Sequence, residues 1–505
     1  MNTIANSPEV SQRIQTGVPG LDEVLLGGLP RNHLYLVSGD PGTGKTTIAM
    51  QFLLEGLRCG EKGLYVTLSE SKRELEEVAR SHGWPVRQLP IIEMTPEVDD
   101  LSPEAQYTVF HPADVEMADT VAAVLRKVDE LQPTRIVFDS LSELRMLARD
   151  PLRYRRQILG LKRHFAGRDC TVLLLDDRTA DGNDLQLQSI AHGVIMLQSL
   201  DRDFGIKRRR LEIRKMRGSK FREGFHDFNI QTGGVTVYPR LVAAEHKPDF
   251  ERHTVLSGLE ELDRLFGGGI DSGTSTLLMG PAGCGKSTIA ARYAVTAAER
   301  GDTAAIFSFD ETTATLLKRA KGVGMDMEPH IASGHIVIKQ IDPAQMSAGE
   351  FVSQVRSAVE EDGATIVVLD SLNGFINAMP GEQFLMLQLH EMLSYLNQMG
   401  VATLFTMAQS GFMGAGMVSP IDVSYLADSV LLFRYFEAGG KVRQALSVVK
   451  KRSGSHERSI RELIFSANLL RVGDPLAEFD GILTGNPRFV GKTRNLEIFG
   501  AGDDN

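Results

Sequence analysis

Two short stretches, GDPGTGKT at residues 39–46 and GPAGCGKS at residues 280–287, decide the fold of this chain. Both match the pattern G-x-x-x-x-G-K-[ST] without a mismatch. Each follows an apolar run, LYLVS or TLLMG, and precedes a stretch with helical periodicity, KTTIAMQFLLEGL or KSTIAARYAVTAA. A glycine-rich loop between a buried strand and a helix N-terminus presents bare backbone N–H groups to a phosphate. The pattern therefore predicts two phosphate-binding loops.

The residue types within the loops indicate how they would bind a triphosphate. Glycine leaves room for a phosphate to approach the backbone. Lys45 and Lys286 should reach the β and γ phosphates and act catalytically, and Thr46 and Ser287 should hold Mg²⁺ through their hydroxyls. A nucleoside triphosphate and Mg²⁺ are therefore the expected ligands of both loops; the family resemblance described below implies that the nucleotide is ATP. The residues expected to bind them are Gly39, Gly42, Thr43, Gly44, Lys45, Thr46 and Thr47, and in the second stretch Gly280, Gly283, Cys284, Gly285, Lys286, Ser287 and Thr288.

The two loops belong to an internal repeat. TGVPGLDEVLLGGLP at residues 16–30 is similar to SGLEELDRLFGGGI at residues 257–270. A constant offset, 311 − 70 = 241, relates Glu70 to Glu311, and the same offset relates the two loops. The repeat therefore indicates two homologous domains, which are joined by a polar segment, the predicted seam. The predicted boundaries are 1–243 for the first domain, 254–490 for the second and 491–505 for a polar tail.

Strands and helices alternate within each copy. The runs GLYVTL, RIVFDS and TIVVLDS indicate buried strands between helical stretches, which is typical of parallel βαβ units. Beyond TVLLLDD and ATLFTM the pattern changes to closely spaced short runs such as GVIMLQS, RRRLEIRKM and SVLLFRYF, which predict antiparallel strands. The expected fold class is α/β, with two tandem P-loop domains. Each should contain a mainly parallel sheet flanked by helices and extended by antiparallel strands.

Carboxylates follow the predicted strands in both copies. Asp139 and Asp370 end apolar strands, where a carboxylate can contact Mg²⁺ through water beside bound phosphates. Glu70, Asp310 and Glu311 follow the second strand of their copies and are candidates to orient or deprotonate the attacking oxygen. The first copy has a serine where the second has Asp310. The second domain therefore has two candidate catalytic carboxylates and the first has one.

Composition limits the cellular compartment and the kinds of partner that are expected for this chain. The chain has 505 residues and a formal charge of −10, which argues mildly against a surface built for nucleic acid. Its basic clusters, RYRR at 153–156 and KRRR at 207–210, are interpreted as solvated or subunit-facing charge, so nucleic acid is not an expected partner. Three cysteines indicate a reducing compartment. Without a signal-like N-terminus or a long apolar run, a cytoplasmic protein with no membrane contact is expected.

The combination of these features resembles the KaiC family, the circadian-clock ATPases and autokinases of the RecA superfamily. The repeated GLDxxLxGGL entrance, the paired loops, the carboxylates and the KMRG segment at 215–218 carry the resemblance, which extends from about residue 16 to about residue 490. It implies RecA-like domains and a double-ring homo-hexamer with ATP bound between subunits. The first ring would hydrolyse ATP and the second would phosphorylate its own residues. A KaiB-like or signalling protein is the implied partner.

The resemblance also implies roles for individual residues. The family's pair of catalytic glutamates maps to Ser69 and Glu70, and to Asp310 and Glu311, so both copies depart at the first position. A serine cannot act as a base at neutral pH, which leaves Glu70 to carry first-ring hydrolysis. The basic residues that the family presents to the neighbouring subunit's phosphates map to Lys215, Arg217, Lys450 and Arg452.

The resemblance places the phosphoacceptor in the segment VSYLAD. The family's Ser-Thr pair falls on Ser424 and Tyr425, so Ser424 is the expected acceptor and Tyr425 departs from the pattern; Ser419 is a weaker candidate. The resemblance therefore implies an ATP-binding and ATP-hydrolysing protein with serine autophosphorylation in its C-terminal domain, acting as a regulatory hexamer that depends on nucleotide and phosphorylation. Two alternatives remain open, a RecA-type DNA-dependent ATPase and a nucleotide-gated binding scaffold without kinase activity.

Overall fold

The computed structural model describes residues 13–85, 88–94, 112–148, 151–177, 185–200, 205–246, 249–377, 385–409 and 423–491. The chain divides into two compact units, residues 1–240 and 241–505. Ser419, predicted as a weaker acceptor, lies outside the described residues, and so does the predicted polar tail beyond Gly491. Leu241 and Ala243, at the predicted seam, pack in a core of the second unit.

The first unit is built around one large sheet with helices on its faces. Its strands are β1 Arg13–Ile14, β2 Leu29–Pro30, β3 Leu34–Gly39, β4 Gly63–Thr67, β5 Ile91–Glu93, β6 Arg135–Asp139, β7 Thr171–Asp177, β8 Gly193–Leu200, β9 Arg208–Met216, β10 Phe225–Gln231 and β11 Gly234–Tyr238. Its helices are α1 Leu21–Val24, α2 Lys45–Arg58, α3 Lys72–Ser81, α4 Pro112–Leu131, α5 Leu141–Ala148, α6 Pro151–Phe165 and α7 Leu185–Ile190.

The second unit repeats this order of elements. Its strands are β12 Thr254–Val255, β13 Ile270–Asp271, β14 Ser275–Gly280, β15 Thr303–Ser308, β16 Ile336–Gln340, β17 Ala364–Asp370, β18 Ala402–Ala408, β19 Ser429–Ala438, β20 Lys441–Lys451, β21 Arg461–Ser466, β22 Leu469–Pro475, β23 Phe479–Asp480 and β24 Arg488–Phe489. Its helices are α8 Glu260–Leu265, α9 Lys286–Glu299, α10 Thr313–Gly322, α11 Glu328–Ala332, α12 Ala348–Glu360, α13 Leu372–Asn377 and α14 Leu385–Gln398. A 3₁₀ turn, Ala243–Glu245, precedes them.

Both large sheets have nine strands in the same order. In the first, the order is β11-β10-β9-β8-β3-β7-β6-β4-β5, and in the second it is β22-β21-β20-β19-β14-β18-β17-β15-β16. The strands from β8 to β5 pair in parallel, as do those from β19 to β16. The remaining pairings are antiparallel. The predicted α/β fold, with mainly parallel sheets and antiparallel extensions, is confirmed.

Two of the strands differ in detail from the prediction. The runs GVIMLQS and SVLLFRYF were expected to be antiparallel strands, but they form β8 and β19, which pair in parallel with β3 and β14 on one side. On the other side they pair antiparallel with β9 and β20. Each is therefore the strand at which the pairing changes from parallel to antiparallel. It lies immediately beside the strand that leads into a glycine-rich loop.

Helices cover both faces of each sheet, so the central strands are apolar along their whole length. In β3, Tyr35 and Val37 pack in the same core as Phe52 of α2. Leu36 packs on the opposite face with Ile158 of α6. Burial on both faces explains why these strands are continuous apolar runs and do not alternate with polar residues. In the described ranges, no helix is both long enough and apolar enough to cross a membrane.

Candidate functional site

The two glycine-rich loops link β3 to α2 and β14 to α9, as their sequences predict. Gly42 and Gly44 have φ of 76° and 96°, and the second copy repeats this at Gly283 and Gly285, with 75° and 102°. A Cβ added at Gly42 would meet no atom within 4 Å, so the backbone there faces open space. The glycines that precede α2 and α9 make no side-chain cap. The first amides of both helices are therefore available to a phosphate.

The lysine of the first loop is held by an acidic residue that the sequence did not single out. Lys45 is 6% exposed. Its Nζ donates to the carbonyl oxygens of Gly39 and Asp40 at 3.0 and 2.9 Å. It also forms an ion pair of 2.6 Å with Oδ1 of Asp177, the last residue of β7, whose side chain is 26% exposed. A carboxylate therefore contacts the ammonium group that is expected to bind a phosphate.

The lysine of the second loop has a different partner. Lys286 Nζ donates to two loop carbonyls at 3.0 and 2.5 Å and to Cys284 Sγ at 3.7 Å. Asp177 is paired with Gly39 in the first sheet, and the matching position opposite Gly280 is Ala408. Cys284 is fully buried, and this burial raises the pKa of its thiol. The two loops therefore differ in the charge beside the lysine, although their sequences follow one pattern.

We expect Asp177→Asn to strengthen nucleotide binding at the first loop by about three- to tenfold, because a carboxylate no longer competes with phosphate for Lys45. The measurement is a titration with a fluorescent ATP analogue on chains that also carry Lys286→Ala, so that the first site dominates the signal. Asp169→Asn removes an exposed carboxylate of the same unit and is the matched control. An unchanged dissociation constant for Asp177→Asn would show that the ion pair does not oppose binding.

The predicted Mg²⁺ ligands lie together in both units. Thr46 Oγ1 donates to Asp139 Oδ2 at 3.0 Å, and the hydroxyl of Tyr65 donates to the same oxygen at 2.5 Å. Burial raises the pKa of Asp139. In the second unit, Ser287 Oγ donates to Asp370 Oδ1 at 2.9 Å. The described parts of the chain contain no cluster of three or more His, Cys, Asp or Glu side chains able to hold a metal. A hydroxyl and a carboxylate beside a phosphate site fit hydrated Mg²⁺.

Glu70 lies partly buried after β4, near these groups. Burial raises the pKa of Glu70, and the negative charge of Asp139 adds to the effect. Its Oε2 is buried and has no hydrogen-bond partner among the residues that the structure describes. The hydroxyl of Thr67 donates to the carbonyl oxygen of Glu70 at 2.7 Å and fixes its backbone. A poorly solvated carboxylate with a raised pKa is suited to accept a proton from water.

The two candidate carboxylates of the second unit have other surroundings. Asp310 Oδ2 accepts a hydrogen bond from Ser371 Oγ. Glu311 is bound by the guanidinium of Arg319, a residue of α10, at 2.7 and 3.2 Å. Arg319 also donates to Thr288 Oγ1 at 3.0 Å. Arg319 is a site residue that the motifs do not predict, although the two copies, compared at the offset of 241, have a basic residue at this position only in the second.

The basic residues of the first unit lie at the opposite edge of the sheet from their own loop. Lys215 is opposite Val194 of β8, close to the amino end of β3, whereas the loop begins at the carboxyl end. At about 3.3 Å per residue, the length of strand between the position of Lys215 and the loop is roughly 10 to 15 Å. Lys215 Nζ donates to the carbonyl of Ala191 at 2.8 Å, and Arg217 Nη2 donates to that of Ser189 at 2.6 Å. Burial lowers the pKa of Lys215.

The second unit places the predicted acceptor beside its own basic pair. Lys450 Nζ donates to the carbonyls of Ser424 and Ala427, both at 2.8 Å. Arg452 Nη2 donates to the carbonyl of Tyr425 at 2.8 Å, and the Tyr425 side chain is 55% exposed. Ser424 and Tyr425 precede β19, whose first residue is paired with Thr276 at the start of β14, and Lys450 is paired with Val430 at the same end of β19. The acceptor segment and the basic pair thus share the amino edge, away from Lys286.

The three arginines of the cluster KRRR begin β9, and the cluster is partly unavailable to a ligand. Arg208 is buried. Arg210 donates to the side-chain oxygen of Gln198 at 2.8 Å, and its guanidinium lies 4.0 Å from the ring centre of Phe225. Contacts within the unit therefore account for two of these basic side chains. The exclusion of nucleic acid as a partner stays a prediction.

Two sheets of one strand order, each with a phosphate-binding loop and an acidic strand end, define a tandem P-loop ATPase with RecA-like domains. The family model described as "ATPase: KaiC" matches residues 14–242 and 255–476. The chain therefore belongs to the KaiC family of ATPases. The predicted family and fold are confirmed by this match.

Curated relatives support the same assignment over the whole length. The chain is 26% identical to the circadian clock protein KaiC3 of Synechocystis sp. over 498 residues, covering 98% of both chains. It is 27% identical to the circadian clock oscillator protein KaiC of Picosynechococcus sp., covering 96% of this chain and 94% of the relative. It is 26% identical to the protein of that name from Synechococcus elongatus, with the same coverage.

Proposed function

We propose that this chain hydrolyses ATP in its first domain and phosphorylates Ser424 in its second, as a hexamer whose state depends on nucleotide and phosphorylation. One observation carries the proposal. In both domains the basic pair lies at the opposite edge of the sheet from the loop of the same domain, and in the second domain the acceptor segment lies there too. A basic pair so placed cannot complete the phosphate site of its own domain, so we assign it to the site of a neighbouring subunit.

In the first site, hydrolysis depends on Lys45 and Glu70. Lys45 binds the phosphates at the N-terminus of α2, and Glu70 accepts the proton of the attacking water. Thr46 and Asp139 would hold Mg²⁺, which supplies charge neutralisation at the phosphates. The neighbour's Lys215 and Arg217 stabilise the charge on the transferring phosphoryl group. Ser69 is exposed and has no part in the proton transfer.

In the second site, the attacking group is a serine hydroxyl. The Ser424 oxygen of one chain forms a bond to the γ phosphorus of ATP held at a neighbour's second loop, and the bond from that phosphorus to the bridging β–γ oxygen breaks. ADP leaves, and Asp310 takes the hydroxyl proton. Lys450 and Arg452 lie next to the acceptor and stabilise the charge on the phosphoryl group during the transfer.

The relatives' names support a regulatory output. Proteins named as circadian clock components match nearly the full length of this chain. We infer a cytoplasmic protein whose phosphorylation state is read by a KaiB-like or other signalling partner. If Ser424 is never phosphorylated, the chain is a nucleotide-gated scaffold whose output is partner binding.

The assembly part of the proposal has a direct test. Saturating MgATP should convert the purified chain into hexamers, because nucleotide is bound by the loop of one subunit and the basic pair of the next. Light scattering coupled to size exclusion measures the mass. Arg217→Ala together with Arg452→Ala should lower the hexamer fraction, while Arg73→Ala, at an exposed position of α3, is the control. A chain that stays monomeric in MgATP would contradict the intersubunit assignment.

A further inference from the structure

The matched glutamates of the two sites differ in how they are held. Both oxygens of Glu311 accept hydrogen bonds from Arg319, at 3.2 Å from Nε and 2.7 Å from Nη2. The two side chains are 28% and 21% exposed, for Arg319 and Glu311. The remaining guanidinium nitrogen donates to Thr288, next to the loop, at 3.0 Å. A planar guanidinium thus fixes the carboxylate and links it to the first turn of α9.

The first site lacks this clamp. The residue that corresponds to Arg319 is Val78, since 319 − 241 = 78, and it packs against the core of the first unit. Glu70 has no ion-pair partner within the described ranges, and one of its oxygens is buried without a hydrogen bond. The helices α3 and α10 correspond in position, and each buries a leucine and an alanine at matching places, although most of their other side chains differ. Among these differences, the change from Arg319 to Val78 is the one that removes the partner of the glutamate.

We propose that Arg319 is a positioning residue that withholds Glu311 from proton abstraction, so that the second site activates water poorly and transfers phosphate to the serine hydroxyl. The inference rests on the proposed function and adds a reason for the division between hydrolysis and transfer. Glu311 is turned onto α10 by two charge-assisted bonds, whereas Asp310 is bound, among the residues that the structure describes, only through a neutral hydroxyl. Asp310 is then the carboxylate that takes the serine proton.

A purely structural role for this ion pair predicts a different behaviour. Partly exposed pairs contribute little to stability. The helix α10 is anchored in the core by Leu316 and Ala320, both almost fully buried, and it keeps these contacts without Arg319. Removing a structural contact should lower activity or leave it unchanged. Releasing a carboxylate that can activate water should instead raise phosphate release, which is a gain that damage to the fold does not produce.

The test measures phosphate release and Ser424 labelling separately in a Glu70→Gln background. This background removes the proposed first-site base but leaves both loops able to bind nucleotide. Arg319→Met should raise phosphate release at least about threefold, and adding Glu311→Gln should abolish the rise. Lys318→Met, at the exposed neighbouring position, is the control and should have no effect. Melting temperature and binding of a fluorescent ATP analogue check that the fold and the loops are intact.

The outcomes separate the inference from the proposed function. Unchanged or lower phosphate release in Arg319→Met, with nucleotide binding intact, overturns the inference. If Arg319→Met does not fold, Arg319→Lys keeps a charge but cannot hold both oxygens and Thr288 together. It should then give a smaller rise, and no rise in that variant also overturns the inference. A Glu70→Gln chain that hydrolyses ATP as fast as the parent contradicts the proposed first-site base instead.

Discussion

Lys286→Ala should abolish self-phosphorylation while part of the ATP hydrolysis survives. Lys286 is almost fully buried among the carbonyls of the second loop and is the cation that we propose to bind the phosphates there. Removing one such preorganised donor lowers turnover by on the order of 100-fold or more. The first loop lies in a separate unit and keeps its own lysine, so hydrolysis there should continue.

Lys45→Ala should have the complementary effect. Loss of the first lysine should remove nucleotide from the first domain, and mainly damage ring assembly and basal hydrolysis. The measurement for both variants is the pair of rates for phosphate release and for incorporation of labelled phosphate into the chain. Lys62→Ala, at an exposed lysine between α2 and β4, serves as the control for the loss of one charge. Equal loss of both activities in both variants would contradict the division of labour.

Ser424→Ala should remove nearly all phosphate incorporation, whereas Tyr425→Phe should leave it intact. Transfer needs an acceptor oxygen in line with the γ-phosphate and a base within hydrogen-bond reach. The backbone of Ser424 is held by Lys450, which lies beside the acceptor segment. The Tyr425 hydroxyl stands several bonds farther from the backbone, so a site shaped for a short side chain should not align it.

The base is tested on the same chain. Asp310→Asn should lower labelling on the order of 100-fold, whereas Glu311→Gln alone should lower it much less, because Arg319 already holds Glu311. Mass spectrometry of the phosphorylated peptide after incubation with MgATP gives the site and the extent. Phosphate found only on Tyr425 would disprove the choice of acceptor. Full labelling in the double variant Asp310→Asn, Glu311→Gln would disprove the choice of base.

The loops and the sheets could be predicted because their signals are local. Glycine and lysine spacing fixes the loop between a strand and a helix within a dozen residues, and the repeat showed that the spacing was not accidental. The structure places Thr46 beside Asp139, and Ser287 beside Asp370, as that interpretation requires. Parallel strands with their carboxyl ends at one edge bring such residues together whatever the length of the connections between them.

The partners of Lys45 and Glu311 could not be predicted from local patterns. Lys45 meets Asp177 only because β7 lies directly beside β3 in the sheet, a neighbourhood that the chain order does not specify. Arg319 reaches Glu311 across two turns of α10. The sequence of a charged helix face does not reveal whether its side chains are solvated or form ion pairs. The direction of β8 was mispredicted for a similar reason. Its apolar run does not reveal that its two neighbours have opposite orientations.

The separation of each loop from the basic pair of its own domain restricts the symmetry of an assembly in which the basic pair of one chain meets the loop of another, as we propose. A contact between the carboxyl edge of one sheet and the amino edge of the next joins two different surfaces, so it is heterologous. When two chains make one such head-to-tail contact, one chain still has a free carboxyl edge and the other a free amino edge. A two-fold dimer, in which both chains use the same surface, cannot form this contact. Repetition either closes a ring or continues as a filament, and the rotation from one chain to the next decides between them. A substitution that alters only this rotation would change the number of subunits without touching a residue that binds ATP.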